Sequence, residues 1–149
     1  MKQVLKQPLV FCLLAFWLIG CSESKQVTLE FRIAEDEPAP GLKELEFGRT
    51  GKRFYFHEEV LVNQSDVDSA FATMQNGRWA VELMLTAAGS RKFEELTEGN
   101  VGKQCGMFLN GELVSAPRIM APIRVGRAIV ASDFTEAEAR RVAQGLSQP

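Results

Sequence analysis

The run Met107-Phe108-Leu109-Asn110-Gly111-Glu112-Leu113-Val114 restricts the fold more than any other segment of the chain. Asn and Gly tolerate the positive φ angles that a two-residue type I′ turn imposes, so the apolar stretches on either side must form an antiparallel hairpin. Pro117 and Pro122 follow, and neither can donate to a ladder, so residues 114–122 predict a kinked or protected edge. Near the start, Val27-Thr28-Leu29-Glu30-Phe31-Arg32-Ile33 alternates strictly and predicts a half-buried strand with all its apolar side chains on one face. Glu35-Asp36-Glu37-Pro38-Ala39-Pro40-Gly41 ends that strand in an exposed loop, because prolines and clustered acids do not enter a sheet interior. Residues 42–47, 53–57 and 60–62 predict short strands, with Gly48-Arg49-Thr50-Gly51 as the turn between the first two.

From Ser65 the apolar period changes. Val67, Ala70, Phe71 and Met74 fall at i, i+3, i+4 and i+7, Ser65 and Asp68 have capping-box spacing, and Asn76-Gly77 supplies a stop. This pattern predicts a helix over about 66–75. Trp79, Val81, Leu83 and Leu85 then alternate as a central strand, which runs into Thr86 as the N-cap of a second helix with Phe93 and Leu96 on its buried side. Residues 124–131 resume a strand pattern, and Thr135-x-x-Glu138 caps a last helix with Ala139, Val142, Ala143 and Leu146 on one stripe. Three helices with one apolar face each, among hairpin-linked strands, predict an α+β two-layer sandwich: a largely antiparallel sheet with helices on one face.

Composition decides which functions such a domain can serve. At 46% hydrophobic and 24% charged residues the chain is an ordinary globular one. Its 17 basic residues are interrupted throughout by 19 acidic ones, which disfavours nucleic acid as a partner. Three cysteines, Cys12, Cys21 and Cys105, form neither a disulfide framework nor a zinc knuckle, so no metal or other cofactor is expected. His57, the single histidine, has no second soft ligand nearby and reads as a strand or surface residue. Cys105 reads as a small core side chain, Ser115 lacks a Gly-x-Ser-x-Gly elbow, and Glu35-Asp36-Glu37 reads as a solvated loop. The glycines at 99, 102, 106 and 111 open no phosphate loop, and their simplest role is to allow tight turns. No catalytic residue and no enzymatic activity are predicted.

The N-terminus has a different character. Lys2 and Lys6 precede an apolar run over 9–19, closed by Leu18-Ile19-Gly20-Cys21. The run falls short of the roughly 20 residues a spanning helix needs but suits a secretory signal. Its ending resembles the lipobox of bacterial lipoproteins, whose cysteine thiol is acylated before the chain is cut in front of it. The resemblance implies a signal peptide over 1–20, lipidation of Cys21, a polar tether over 21–26 and a folded domain over 27–149, with a membrane as partner through the lipid. Ser22, rather than Asp, after the cysteine implies the outer membrane, facing the periplasm, in a double-membraned bacterium. The competing readings are a plain signal peptide with an incidental cysteine and an uncleaved anchor.

A second resemblance covers almost the whole folded part. Its residues are Tyr55-x-His57, Val60-Leu61, Asp66-Val67-x-x-Ala70 and Val81-x-Leu83-x-Leu85-Thr86-x-x-Gly89, then Phe93-x-x-x-Thr97-x-x-Asn100-Val101-Gly102-Lys103, and Gly111-x-Leu113-Val114-Ser115-Ala116-Pro117-x-Ile119. In this order they resemble the first periplasmic domain, especially the head subdomain, of the SecD protein-export subunit, with Asn100, Gly102, Gly111, Ser115 and Pro117 as the characteristic positions. The resemblance implies a ferredoxin-like α+β head that holds or pulls an emerging polypeptide. Its partners would be unfolded polypeptide or a protein of the export machinery. After Cys21 no apolar stretch approaches about 20 residues, so no proton-driven movement is expected of this polypeptide alone. The early strands carry Phe54, Tyr55 and Phe56, the candidate partner-binding residues, because aromatic side chains give a docked chain apolar contact at low entropic cost. A non-enzymatic envelope lipoprotein that binds polypeptide or a protein partner is the first reading, and a structural or adaptor lipoprotein without an export role is the second.

The lipobox yields a direct test. The mature protein should partition into detergent and carry acyl mass on an N-terminal cysteine, and Cys21→Ala should leave the precursor uncut. An unmodified mature chain that starts elsewhere would contradict the reading.

Overall fold

Strict alternation produces strand β1 (Leu29–Glu35), in which Leu29, Phe31 and Ile33 are buried while Glu30 and Arg32 pair at 2.6 Å on the opposite face. The computed structural model describes residues 26–147, so the signal segment, Cys21 and the tether as far as Lys25 lie outside the described residues. Strands β2 (Lys43–Phe47) and β3 (Lys52–Phe56) follow as an antiparallel pair, then the two-residue β4 (Val62–Asn63). Next come β5 (Val67–Gln75), β6 (Arg78–Leu85), helix α1 (Ala87–Gly99), β7 (Gln104–Leu109), β8 (Glu112–Ser115), β9 (Arg127–Phe134) and helix α2 (Glu136–Leu146).

Every strand pairing is antiparallel. One sheet has the order β2-β3-β1-β7-β8, with β4 continuing along β1 beyond β3, and a second has the order β5-β6-β9. The turn at Asn110 (φ 51) and Gly111 (φ 80) joins β7 to β8 as the Asn-Gly pair predicts. Two of the three helix caps read from sequence are present. Thr86 accepts from the Gly89 N–H, and Thr135 and Glu138 satisfy each other's backbone donors.

The predicted α+β fold with antiparallel sheet holds, with one element corrected. The segment predicted as a helix over 66–75 is strand β5, and two α-helices, not three, stand among the described residues. The cap lies two residues before Ser65. Asn63 and Asp66 form a capping box around a single 3-10 turn, and the buried Asp66 carboxylate also binds Lys92 at 2.7 Å. The helical spacing of Val67 and Ala70 arises because a register shift between Val67 and Ser69 inserts one residue into an otherwise alternating strand. Asn76 (φ 50) and Gly77 (φ 77) are then the turn of a β5–β6 hairpin instead of a helix stop.

One core lies between the two sheets and the helices. It joins Leu29, Phe31 and Ile33 of β1 to Val81 and Leu83 of β6, Met107 and Leu109 of β7, Phe93 of α1 and Ala143 and Leu146 of α2. A smaller aromatic cluster, Ala34, Phe54, Phe56 and Phe108, occupies the other face of the larger sheet. Gly106 makes this second cluster possible. It sits inside β7, not in a turn, and a Cβ there would lie 2.1 Å from the Phe56 ring, which packs edge-on against Phe108 at 5.1 Å. Of the same group, Gly102 and Gly111 do serve turns, where φ is positive, while Gly99 is the last residue of α1.

Burial of the aromatic cluster sets a stability test by chemical denaturation. Phe54→Ala and Phe56→Ala should each cost about 3–5 kcal/mol, the usual range for deleting a buried phenylalanine. Tyr55→Ala, at a half-buried position, should cost clearly less.

Candidate functional site

The free edge of β5 is formed by the segment in which sequence periodicity was least reliable. β5 is the terminal strand of its sheet, and its Gln75↔Arg78 pair closes the two-residue hairpin, so the N–H and C=O groups of Gln75, Thr73 and Phe71 point toward β6. Those of Ala70, Ala72 and Met74 point away from it. At Ala70 the outward groups are met by Ser147, just past the end of α2. Its hydroxyl accepts from the Ala70 N–H at 3.1 Å and lies 3.3 Å from the Ala70 carbonyl. No described residue bonds the outward groups of Ala72 or Met74.

Beside this edge runs a cleft of about 780 Å³ between β5 and the last turns of α2. Its walls carry Ala70, Ala72, Ala143 and Leu146, with Gln64 and Arg140 toward the rim. Two large apolar side chains stand exposed along the strand: Phe71 at 55% and Met74 at 56%. They lie on opposite faces, since Phe71 is opposite Glu82 on the outer face and Met74 opposite Trp79 on the face that α2 covers. A helix over 66–75 would have put both on its buried stripe. Asn76-Gly77 between two apolar runs, the same signal read correctly at Asn110-Gly111, was the indication that this segment is a strand.

Among the described strands the other edges are poor templates for an incoming strand, and β4 is only two residues long. β2 exposes Lys43, Glu44 and Glu46, β8 is four residues long and leads into Pro117, and β9 lies against β8. Charges, proline, short length and cover are the usual means by which sheet edges avoid unwanted pairing. Between Ala70 and Gln75, β5 has neither charge nor proline.

The residues singled out from sequence fall elsewhere. Phe54 and Phe56 are 2% and 1% exposed, so their rings belong to the core of the free chain and only Tyr55 of the three presents surface. β3 is moreover an interior strand, between β2 and β1. Asn100, Gly102 and Pro117 come together in a turn-and-ladder arrangement. The Asn100 side chain donates to the Leu96 carbonyl at 2.8 Å, Gly102 N–H donates to Ile119, and Cys105 N–H donates to Pro117 at 2.8 Å. Gly111 and Ser115 begin and end their own hairpin arm, with Ser115 opposite Met107. These positions build the scaffold.

Among the described residues no reactive constellation accompanies them. His57 Nε2 is 2.9 Å from Glu35, whose carboxylate also takes a hydrogen bond from Lys103 at 2.6 Å. The Lys103 ammonium, and after it His57, hold the Glu35 carboxyl below its ordinary pKa. Asp36 is likewise lowered, chiefly by Arg118. The acidic loop is thus engaged with cations. Ser115 is three strand positions from the His57 end of β3 across the sheet. Cys105 is buried, and desolvation pushes its thiol up to about 12.

Comparison with known proteins agrees with this scaffold. Residues 42–148 match the family described as SecDF, P1 head subdomain. The chain is 36% identical over 84 residues to protein translocase subunit SecD of Rickettsia bellii, covering 56% of this chain and 16% of that one. It is 29% identical over 133 residues to SecD of Aquifex aeolicus, covering 85% of this chain and 26% of that one. A solved structure of SecDF, described as a membrane component that enhances protein export, superposes with a TM-score of 0.64 at 25% identity. That match covers 83% of this chain and 63% of the other. The chain therefore spans only a minor part of the SecD relatives it matches, and it belongs to the SecDF P1 head family.

Proposed function

We propose that this chain is a lipid-anchored envelope protein whose SecD-type head binds polypeptide or a protein partner in connection with protein export, without catalysing covalent chemistry. The observation that carries the reading is an open, uncharged strand edge beside a cleft on a head of the SecDF P1 family. An edge of this kind meets an extended chain through backbone groups and so tolerates many sequences, which is what contact with diverse exported chains requires. The burial of Cys105 and the engagement of His57 with Glu35 support a binding role over a chemical one.

The relatives of greatest weight are SecD subunits of a protein translocase, and the SecDF structure is that of a component that enhances export. No described helix is long and apolar enough to cross a membrane. In this reading Cys21, at the end of the lipobox-like run, is the point of attachment. Two or three acyl chains, at about 0.8 kcal/mol per buried methylene, would hold the head at a membrane surface. Ser22 directs that anchor to the outer membrane, facing the periplasm, in a double-membraned cell.

Crosslinking in intact envelopes followed by purification through this chain tests the proposal. Translocon subunits or newly secreted chains should be recovered. Recovery of an unrelated envelope complex alone would replace the export reading with that of a structural or adaptor lipoprotein.

A further inference from the structure

The geometry points to strand addition at β5: an uncharged, extended polypeptide segment of about five residues pairs with the outward backbone groups of Ala72 and Met74 and lies in the cleft beside α2. The inference rests on the polypeptide-binding reading above and specifies its site and its chemistry.

Hydrogen-bond complementarity selects the occupant. Ala72 and Met74 offer two N–H donors and two carbonyl acceptors in one line, unmet by any described residue. Only another extended backbone presents the matching alternation of acceptors and donors at that spacing. Ser147 already occupies the equivalent groups of Ala70, and the Asn76-Gly77 turn ends the strand at the other side. At about 3.3 Å per residue, the interval between these stops accommodates about five residues.

The side-chain environment narrows the segment further. Between Ala70 and Gln75 β5 carries no charge, and Arg140 at the cleft is already paired with Glu136 at 2.7 Å, so an uncharged guest segment suits the strand best. Guest residues that point toward α2 meet the small side chains of Ala72 and Ala143, with the polar Arg140 and Gln144 beside them. Those that point the other way lie next to Phe71 and Thr73, and the exposed Phe71 ring gives them an apolar contact. Small or medium apolar residues alternating with uncharged polar ones satisfy both faces.

A second copy of the chain fits less well than a lone segment. α2 leans over β5 more than over any other strand. Pairing β5 with β5 of another copy would bring two α2 helices to the same face beside the new ladder, each next to the space into which the other's cleft opens. An isolated extended segment brings no helix with it.

The test uses the full chain with two probes: fluorescently labelled, reduced and carboxymethylated α-lactalbumin, and an acetylated, amidated pentapeptide of alternating valine and threonine. Anisotropy reads affinity, and amide exchange by NMR reads the backbone of β5. Both probes should bind, the peptide should slow exchange at Ala72 and Met74, and N-methylation of alternate peptide residues should weaken it at least tenfold. Ala72→Pro removes an outward donor and leaves the β5–β6 ladder intact, as an edge proline does, and should weaken α-lactalbumin at least tenfold. Should that variant not fold, the N-methylated peptide decides alone. Undiminished binding by Ala72→Pro, or by the N-methylated peptide, with exchange at Ala72 and Met74 unchanged, would overturn strand addition while leaving polypeptide binding in place. Failure of both probes to bind would overturn both readings. Concentration-dependent dimers that protect the same amides without any probe would assign the edge to a second copy and overturn the inference.

Discussion

The six-residue antiparallel ladder between β1 and β7, from Leu29↔Leu109 to Ala34↔Gln104, is the interaction on which the rest of the molecule depends. All six residues of β7 are buried. On one face Cys105, Met107 and Leu109 meet the main core, and on the other Phe108 meets the aromatic cluster. A strand covered on both faces cannot be exchanged for a solvated one without exposing two cores, so its pairing fixes where both sheets and both helices stand. Gly106 is the local condition for this arrangement, since the Phe56 ring occupies the space a side chain would need. β1 lies outside the segment that matches the SecDF P1 head family, yet it supplies the central strand of the larger sheet.

With the larger sheet ordered in this way, its own edges carry charge or end quickly, and the smaller sheet retains the unprotected one. The contrast between β2 and β5 is physical. Lys43, Glu44 and Glu46 would each have to shed water if a strand docked on β2, whereas Ala72 and Met74 present backbone groups flanked by apolar side chains. α2 completes the second site by standing over β5 and ending at Ser147, so that a single hydroxyl both finishes the helix, at 3.0 Å from Ala143, and closes the first edge position at Ala70. A head whose scaffold residues, among them Asn100, Gly102 and Pro117, are spent on turns keeps its binding capacity in backbone rather than in a set of side chains. Such a site leaves little trace as a sequence motif.

What could be read from the residues alone is what is decided within a few positions of the chain. Asn110-Gly111 sets a turn because its φ angles are local, Thr135 and Glu138 cap a helix because their donors are three residues apart, and β1 alternates because successive side chains of a strand point to opposite faces. The buried stripe of α2 and the cap at Thr86 belong to the same class.

Tertiary structure decided whatever depends on which strand lies beside which. The spacing of Val67, Ala70, Phe71 and Met74 by itself fits a helix or a bulged strand equally well, and pairing with β6 through the Asn76-Gly77 turn makes it a strand, leaving Phe71 and Met74 exposed at an edge. Phe54 and Phe56 read as available aromatic surface because nothing in their own segment shows that Phe108, some fifty residues later, would cover them. Gly106 reads as a turn residue for the same reason. Local dihedral preferences and cap spacings are written into the sequence at the point where they act. Edges, covers and clefts come from long-range pairing, whose partners the chain brings together only when it folds.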